Sequence, residues 1–488
     1  FCKYQFFDFI VEVNPLYFSC EYYYSFVMNL SKTSNNDNFA ENQYNKMVNT
    51  PVSKLITSLA IPTVISMLVT SIYNMADTFF VSQISTQASA AVGVVFPIMS
   101  IIQAFGFTLG MGSGSLISIR LGQKRNEEAN IIVSTAFFTA IGIGFLITIL
   151  GIIFSTQFLS LVGASNTILP YAQDYAKYIF FGAPIMTASF VLNNVLRSEG
   201  KAFFSMIGLT TGGILNIILD PIFIYALDLG ISGAAIATLC SQSISFLILL
   251  TCFLKHKTVC HINIKLYSLK KEVLPKIVTT GFPSLSRQGL SSISSILLNT
   301  AAGAYGDAAI AGMTITTKIV MFIASIMIGV GQGFSPVSGY NFGAKRYDRV
   351  KQAYTFTLTA GFILMGSLAT IIFIFANQIM NAFINDINVV KIGVVALRWQ
   401  VAFLPFHSLI IGTNMLMQST RHIKSATYLS MNRNGIYFIP AILILPRIIG
   451  LQGVEMAQFV ADVLSAITAV PFAIYFFKKM SNYNSEQN

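Results

Sequence analysis

Forty-five consecutive residues between Glu128 and Asp174 carry no charge, and uncharged runs of 34 between Lys351 and Asp386 and 26 between Asp228 and Lys255 repeat the pattern. Each holds at least one stretch of about 20 apolar residues, the length that crosses a bilayer as a helix. Only 10% of the chain is charged, against roughly 25% in a soluble domain, so a soluble globule is excluded. Barrel strands alternate over about 10 residues and leave no long apolar runs, so the spanning element is the helix. The chain reads as an all-α polytopic membrane protein.

Twelve hydrophobic segments can be drawn: 54–83, 88–119, 130–155, 171–196, 203–227, 232–254, 275–302, 308–338, 352–376, 389–417, 424–446 and 452–477. Loops after the even-numbered segments hold the basic residues: Arg120, Lys124 and Arg125; Arg197 and Lys201; Lys255 to Lys276; Lys345 to Lys351; Arg421 and Lys424. The odd loops offer little beyond Lys177, Lys391 and Arg447. The positive-inside rule then places the even loops and both termini in the cytoplasm. This topology also explains the net charge of +11 without a nucleic-acid partner, because the basic residues fall in short clusters between apolar runs. The five cysteines show neither CxxC nor His-paired spacing, so they read as small apolar filler.

Residues 1–50 stand apart as a leader and polar tail. The first 27 lack Met and a small-residue cleavage site, so Met28 is read as the natural start, the alternative being a short interfacial anchor. The Asn-rich stretch 31–50 is expected to be a disordered cytoplasmic tail. The remaining expectations are a six-helix lobe over 51–260, a cytoplasmic linker over 261–274, a second six-helix lobe over 275–480 and a disordered end over 481–488.

Sliding the chain against itself exposes a duplication. At an offset of 221, Gly110, Gly112, Gly122, Lys124 and Arg125 fall on Gly331, Gly333, Gly343, Lys345 and Arg346, and Pro62 falls on Pro283. At 220, Asn194 falls on Asn414, and Gly230, Gly233 and Ala237 on Gly450, Gly453 and Ala457. Six being even, both halves enter the membrane from one side, which makes a parallel repeat about an axis along the membrane normal. The Gly110–Gly114 GxGxG has no preceding strand, and no GxxxxGK[ST] occurs, so no nucleotide site is read there. These glycines are expected to permit close helix approach.

An ionisable group inside a span costs at least about 2.5–3.5 kcal/mol, so each needs a partner or a task. The first half buries Asp77 and Asp220; the second holds Arg287, Lys318, Arg398 and Arg433 against Glu455 and Asp462. Tyr73 and Asp77 are four apart on one helix, as are Asn216 and Asp220 on another, so each pair shares a face. Pro221 should deprive the Ile217 carbonyl of its donor and bend that helix. Two desolvated carboxyls in one pocket titrate together and can carry a proton or trade it for Na+. The plainer alternative is that Asp77 caps a helix end and Asp220 bonds a neighbour's backbone. Arg287, beside Gln288, and Arg433 read as structural partners of Glu455, Asp462 or carbonyls, with gating of the second lobe as the functional option. Trp399 reads equally as core or cavity wall.

The segments IPTVISMLVTSIYNMADTFFVSQIS (61–85), LGQKRNEEA (121–129), LNNVLRSEGK (192–201), LNIILDPIFIYALDLGISGAAIAT (215–238), GFPSLSRQGL (281–290) and ILPRIIGLQGVEMAQ (444–458) resemble the multidrug and toxic compound extrusion (MATE) transporters, in their low-GC Gram-positive branch. The resemblance runs from about Pro51 to Tyr475. It implies twelve transmembrane helices in two six-helix lobes and export of organic, often cationic compounds driven by H+ or Na+. It also implies an ion site of Asp77, Asn216, Asp220 and Thr238, with Tyr73, Tyr175 and an Asn of the Asn193–Asn194 pair as surrounding hydrogen-bonding groups. This sequence departs from the family in three places. Helices 7 and 10 offer Arg287 and Gln288 where some members hold a second-lobe sodium site with carboxylates. Thr420 and Arg421 replace a Gly-Lys pair, and NRNG at 432–435 replaces Arg-Gln-Gly.

The chain is therefore read as a non-enzymatic secondary antiporter of the plasma membrane. It needs no cofactor beyond H+ or Na+, meets small organic molecules and membrane lipid, and is expected to function as a monomer. The alternatives are a flippase for lipid-linked sugars, which calls for more cations along the first-half cavity, and a non-transporting receptor or scaffold.

Overall fold

The computed structural model describes residues 36–255, 257–268 and 272–485. Residues 1–35, Met28 among them, and the last three lie outside the described residues. The chain divides into a first unit, Phe1–Asn42, and a second, Gln43–Asn488, which holds everything discussed below. Its helices are α1 (Asn36–Asn49), which begins in the first unit, α2 (Val52–Ser82), α3 (Thr86–Gly122), α4 (Asn126–Ile153), a short α5 (Ser155–Leu161), α6 (Leu169–Ser198), α7 (Ala202–Pro221) and α8 (Gly230–Leu254). The second half follows with α9 (Val273–Gly303), α10 (Asp307–Gly343), α11 (Tyr347–Phe383), α12 (Ile387–Ala402), α13 (His407–Ser419), α14 (Ile423–Met431), α15 (Phe438–Ile449) and α16 (Leu451–Ser485).

Among the described residues, nine helices are long and apolar enough to span a membrane, or ten when α12 with the 404–419 segment, bent by 42°, counts as one broken span. The other two of the twelve are the polar α9, rich in Ser and Thr, and the α14–α15 pair, broken by a π-turn at Asn432–Ile436. Twelve segments are consistent with this architecture, and the short α5 is an addition that the sequence reading did not foresee.

The repeat reappears in backbone detail. Lys124 (φ 59°) and Lys345 (φ 58°) both take the left-handed conformation after a helix end, and the next amides, of Arg125 and Arg346, reach back five residues to Arg120 and Asn341 at 2.8 Å. Gly200 (φ 80°) has its counterpart in Arg421 (φ 62°), with Lys201 and His422 closing the same bond at 2.8 Å. Thr420–Arg421 therefore leaves the loop geometry intact, and the exposed arginine carries the strain that glycine would avoid.

The lobes meet through the basic-side halves of α2, α3, α9 and α10. A Cβ on Gly112 would run into the Ile277 carbonyl, and one on Gly281 into that of Thr108. Gly122 lies against Tyr340, and Gly343 against Ile119. This last pair is one contact seen twice, since 119 and 122 map onto 340 and 343. Close approach at small residues is how helices associate where no hydrophobic force acts between them.

Two stretches expected to be disordered need correction, the second being 481–488, of which 481–485 continues α16. The stretch 36–49 is helical where disorder was expected, because its end is packed: Met47 and Val48 are buried. Gln43 Nε2 donates to the Glu199 carbonyl (2.6 Å), Asn341 Nδ2 to the Met47 carbonyl (3.3 Å), and Arg349 to the Thr50 carbonyl (2.5 Å). Residues 261–268 of the inter-lobe linker are docked on the first lobe, with His261, Asn263 and Ser268 amides donating to Asn130, Ser134 and Thr135 of α4. Arg197 and Lys201, assigned by sequence to the basic loop after the fourth segment, are buried. Lys201 donates to the Lys257 carbonyl, and burial pushes its ammonium down to about 8 against the pull of Glu199.

Two stability outcomes follow. Arg421→Gly removes left-handed strain of about 1 kcal/mol and raises the melting temperature in detergent by a few degrees. Gly112→Val, forced against a backbone carbonyl, lowers it by about 3 °C or more, whereas Gly142→Ala, which meets nothing within 4 Å, does not.

Candidate ion-binding site

Asn216 and Asp220 lie one turn apart near the end of α7. The Asn216 amide donates to Asp220 Oδ1 (3.2 Å) and to Thr238 Oγ1 of α8 (3.3 Å). Immediately after Pro221 the helix widens into a π-turn, Ile222–Ala226, at the place where the missing proline donor was expected to disturb it. The Tyr225 hydroxyl donates to the Phe80 carbonyl of α2 at 2.8 Å. That bond ties the widened turn to the helix that carries Tyr73 and Asp77.

Asp220 and Tyr73 feel the charge of Asp77, and Tyr175 of α6 feels Tyr73 and both acids. The sequence-derived group of Tyr73, Asp77, Tyr175, Asn216, Asp220 and Thr238 is thus gathered from four helices. Asp77 lies inside α2 and caps no helix. Asp220 receives the Asn216 side chain and no backbone amide among the described residues. The plainer alternative for the two acids therefore fails.

Four polar atoms here are buried without a hydrogen-bond partner: Asp77 Oδ1, Asp220 Oδ2, Asn216 Oδ1 and the Tyr175 hydroxyl. An unmet buried polar atom costs about 1–3 kcal/mol, and the three pure acceptors among them, Asp77 Oδ1, Asp220 Oδ2 and Asn216 Oδ1, suit a proton or a cation. A proton on either carboxyl converts an acceptor into a donor, while a hard monovalent cation would take the oxygens directly. Among the described residues no three His, Cys, Asp or Glu come together, so such a cation would rest on two carboxylates completed by amide and hydroxyl oxygens.

Asn193 and Asn194 do not belong to this group. They stand eighteen and nineteen residues beyond Tyr175 on α6, about 27 Å along the axis, at the basic end. Asn193 Nδ2 donates to Ser205 Oγ (2.7 Å), and Asn194 Oδ1 accepts from Arg197 (2.6 Å). The family pattern was carried onto them by residue type, and counting helical rise would have excluded them.

In the second lobe, Arg433 does pair with Asp462 (2.7 Å). The carboxylate also accepts from Gln458 (2.8 Å) and meets His407 Nε2 at 2.9 Å. The hub joins both helix breaks, because Arg433 sits in the π-turn and His407 begins α13 directly after the break. His407 was missed, although an ionisable residue two positions after Pro405 within a span was signal enough. Arg287 and Glu455 form no ion pair among the described residues, contrary to expectation, and the Gln288 side chain is half-buried beside Arg287. Trp399, half-buried, packs its ring against Phe459.

Known proteins share this plan. The MatE family model matches residues 62–222 and 283–443, two blocks separated by the 221-residue offset of the internal repeat. Multidrug export protein MepA of Staphylococcus aureus is 28% identical over 421 residues, covering 86% of this chain and 93% of the relative. Its Staphylococcus haemolyticus counterpart is 27% identical over 425 residues, covering 87% and 93%. A multidrug resistance MATE family transporter of the MOP superfamily in an outward-facing conformation superposes with TM-score 0.86 at 27% identity, covering 93% of this chain and all of that one. A MATE structure in complex with MaL6 gives 0.85 at 28% identity, covering 90% and 99%. With both halves matched, the chain belongs to the MatE family of multi-pass membrane transporters.

Proposed function

We propose that the protein is a secondary antiporter of the plasma membrane that exports organic, drug-like and often cationic compounds in exchange for H+ or Na+. The observation that carries this reading is the set of four unmet buried polar atoms at Asp77, Asp220, Asn216 and Tyr175, set beside relatives whose names are those of multidrug exporters. Asp77 and Asp220 take the ion, Asn216 and Thr238 hold Asp220 in place and complete the shell, and Tyr73 and Tyr175 close it off.

Loading the site neutralises carboxyls that otherwise repel each other. The Tyr225–Phe80 bond and the π-turn after Pro221 give that change a path from α7 to α2, and α2 packs across the lobe seam against α10. Coupling arises because ion and drug bind the two lobe arrangements with different affinity. With Arg197 and Lys201 removed from the count, Arg120, Lys124, Arg125, Lys345, Arg346, Arg349, Lys351, Arg421 and Lys424 still mark one face as basic. That asymmetry supports cytoplasmic termini, and the chain is read as working as a monomer.

In proteoliposomes, ethidium efflux should accelerate when a pH or a sodium gradient is imposed separately; acceleration by neither removes the antiporter reading, and a flippase would not clear the dye. Asp220→Asn should cut gradient-driven efflux by about tenfold or more, within the usual range of coupling factors, while Arg421→Gly retains wild-type rate. Thr238→Val, which keeps the shape but removes the acceptor for Asn216, should raise the ion concentration for half-maximal efflux by about fivefold, the equivalent of one ordinary hydrogen bond.

A further inference from the structure

Arg197 sits at the seam between the lobes with 4% of its surface exposed. Its guanidinium donates to two neutral oxygens, Gln332 Oε1 of α10 in the other lobe and Asn194 Oδ1. No acidic side chain among the described residues pairs with it or acts on it. Glu199, two residues on, directs its carboxylate to the amides of Val259 and Cys260 at 2.8 and 2.9 Å. Guanidinium cannot shed its charge, so a full positive charge is held away from water with no counter-charge, a costly arrangement unless an anion answers it.

The cavity beside it has apolar walls at Met111 and Pro336 and polar groups on the rest of its lining. Its volume is about 20 Å³, and Ser115, Ser198, Gln332 and Ser335 contribute to its wall with Arg197. Because the Gln332 oxygen faces Arg197, its amide NH2 is left over, and that group makes no hydrogen bond among the described residues. The hydroxyls of Ser115 and Ser335 likewise make none. Ser198 is committed, donating to the Asn194 carbonyl at 2.7 Å, and so is Asn194, which donates to the Phe190 carbonyl and accepts from Arg197. Arg197 thus faces the cavity with a full positive charge, beside the free Gln332 amide and two uncommitted hydroxyls that can each donate.

We infer that Arg197, Gln332, Ser115 and Ser335 form a binding site for a small monovalent anion of chloride size, clasped between the two lobes. The cavity holds little more than one water-sized sphere, a size that suits a single halide ion. Arg197 and Ser115 come from the first lobe, and Gln332 and Ser335 from the second. The anion therefore bridges the basic-side seam, stabilises the arrangement in which that seam is closed, and loses its site when the lobes part.

The test is thermal unfolding of the purified full-length protein in sodium chloride, sodium bromide and sodium gluconate at equal ionic strength, with sodium as the cation in every arm. Chloride and bromide should raise the melting temperature above that in gluconate by about 2 °C or more, as ligands selective for the folded state do. Arg197→Gln should abolish the difference, and Ser335→Ala should reduce it by about half or more. If Arg197→Gln yields no folded protein, the Ser115→Ala and Ser335→Ala variants decide. Equal melting temperatures in the three salts for the wild type would overturn the site, water alone then filling it. So would a halide effect that persists undiminished in the variants, which would place the anion elsewhere. The readout uses neither drug nor gradient, so its failure is distinct from failure of the antiporter reading.

Discussion

In hydrocarbon a polar atom has no water to fall back on, so every backbone amide, carboxylate and guanidinium in a spanning segment must find its partner within the protein. The backbone solves this by coiling into helices, which is why uncharged runs as long as 45 residues become helices and tight turns. Side chains solve it less uniformly. Asp462 is answered by Arg433, His407 and Gln458, whereas Asp77 and Asp220 retain unmet oxygens and Arg197 retains an unmet charge. The incompletely answered groups are where an exchangeable ion is worth most, because it removes a penalty that no side chain removes.

The two lobes share a backbone and divide the electrostatics. Lys124 and Lys345 turn identically, and the Gly122 and Gly343 contacts mirror each other, yet Asp77 maps onto Leu298, and Asp220 onto Pro440 or Ala441. The π-turns are not equivalent either, since one follows Pro221 and the other carries Arg433. Duplication supplies a symmetric frame, and each lobe then bends at a different point beside a different charged group. A first lobe with unmet acids and a second with a neutralised hub can respond unequally to one ion.

The seam joins these elements. Its glycines let α3 and α9 approach until carbonyls touch where a Cβ would stand. Beside them, Gln43, Met47 and Thr50 bond to both lobes, and Arg197 reaches across to Gln332. Separating the lobes on this face must break the Arg197–Gln332 bond and the bonds of Gln43, Met47 and Thr50 to one lobe or the other, so the closed arrangement is held by small polar contacts on a close-packed base.

Local spacing was sufficient to read much of this. Apolar run length located the spans, the 221-residue offset exposed the duplication, and one-turn spacing placed Asn216 with Asp220 and Tyr73 with Asp77, because helical periodicity depends on the chain alone. Depth and partnership were not legible. The sequence could not show that Arg197 turns inward at the seam, that Arg433 and not Arg287 meets Asp462, or that a polar Asn-rich stretch coils because Met47 and Val48 find a pocket. Those outcomes depend on which helix stands beside which, a relation between residues far apart along the chain, and packing across the membrane decides it after the spans have formed.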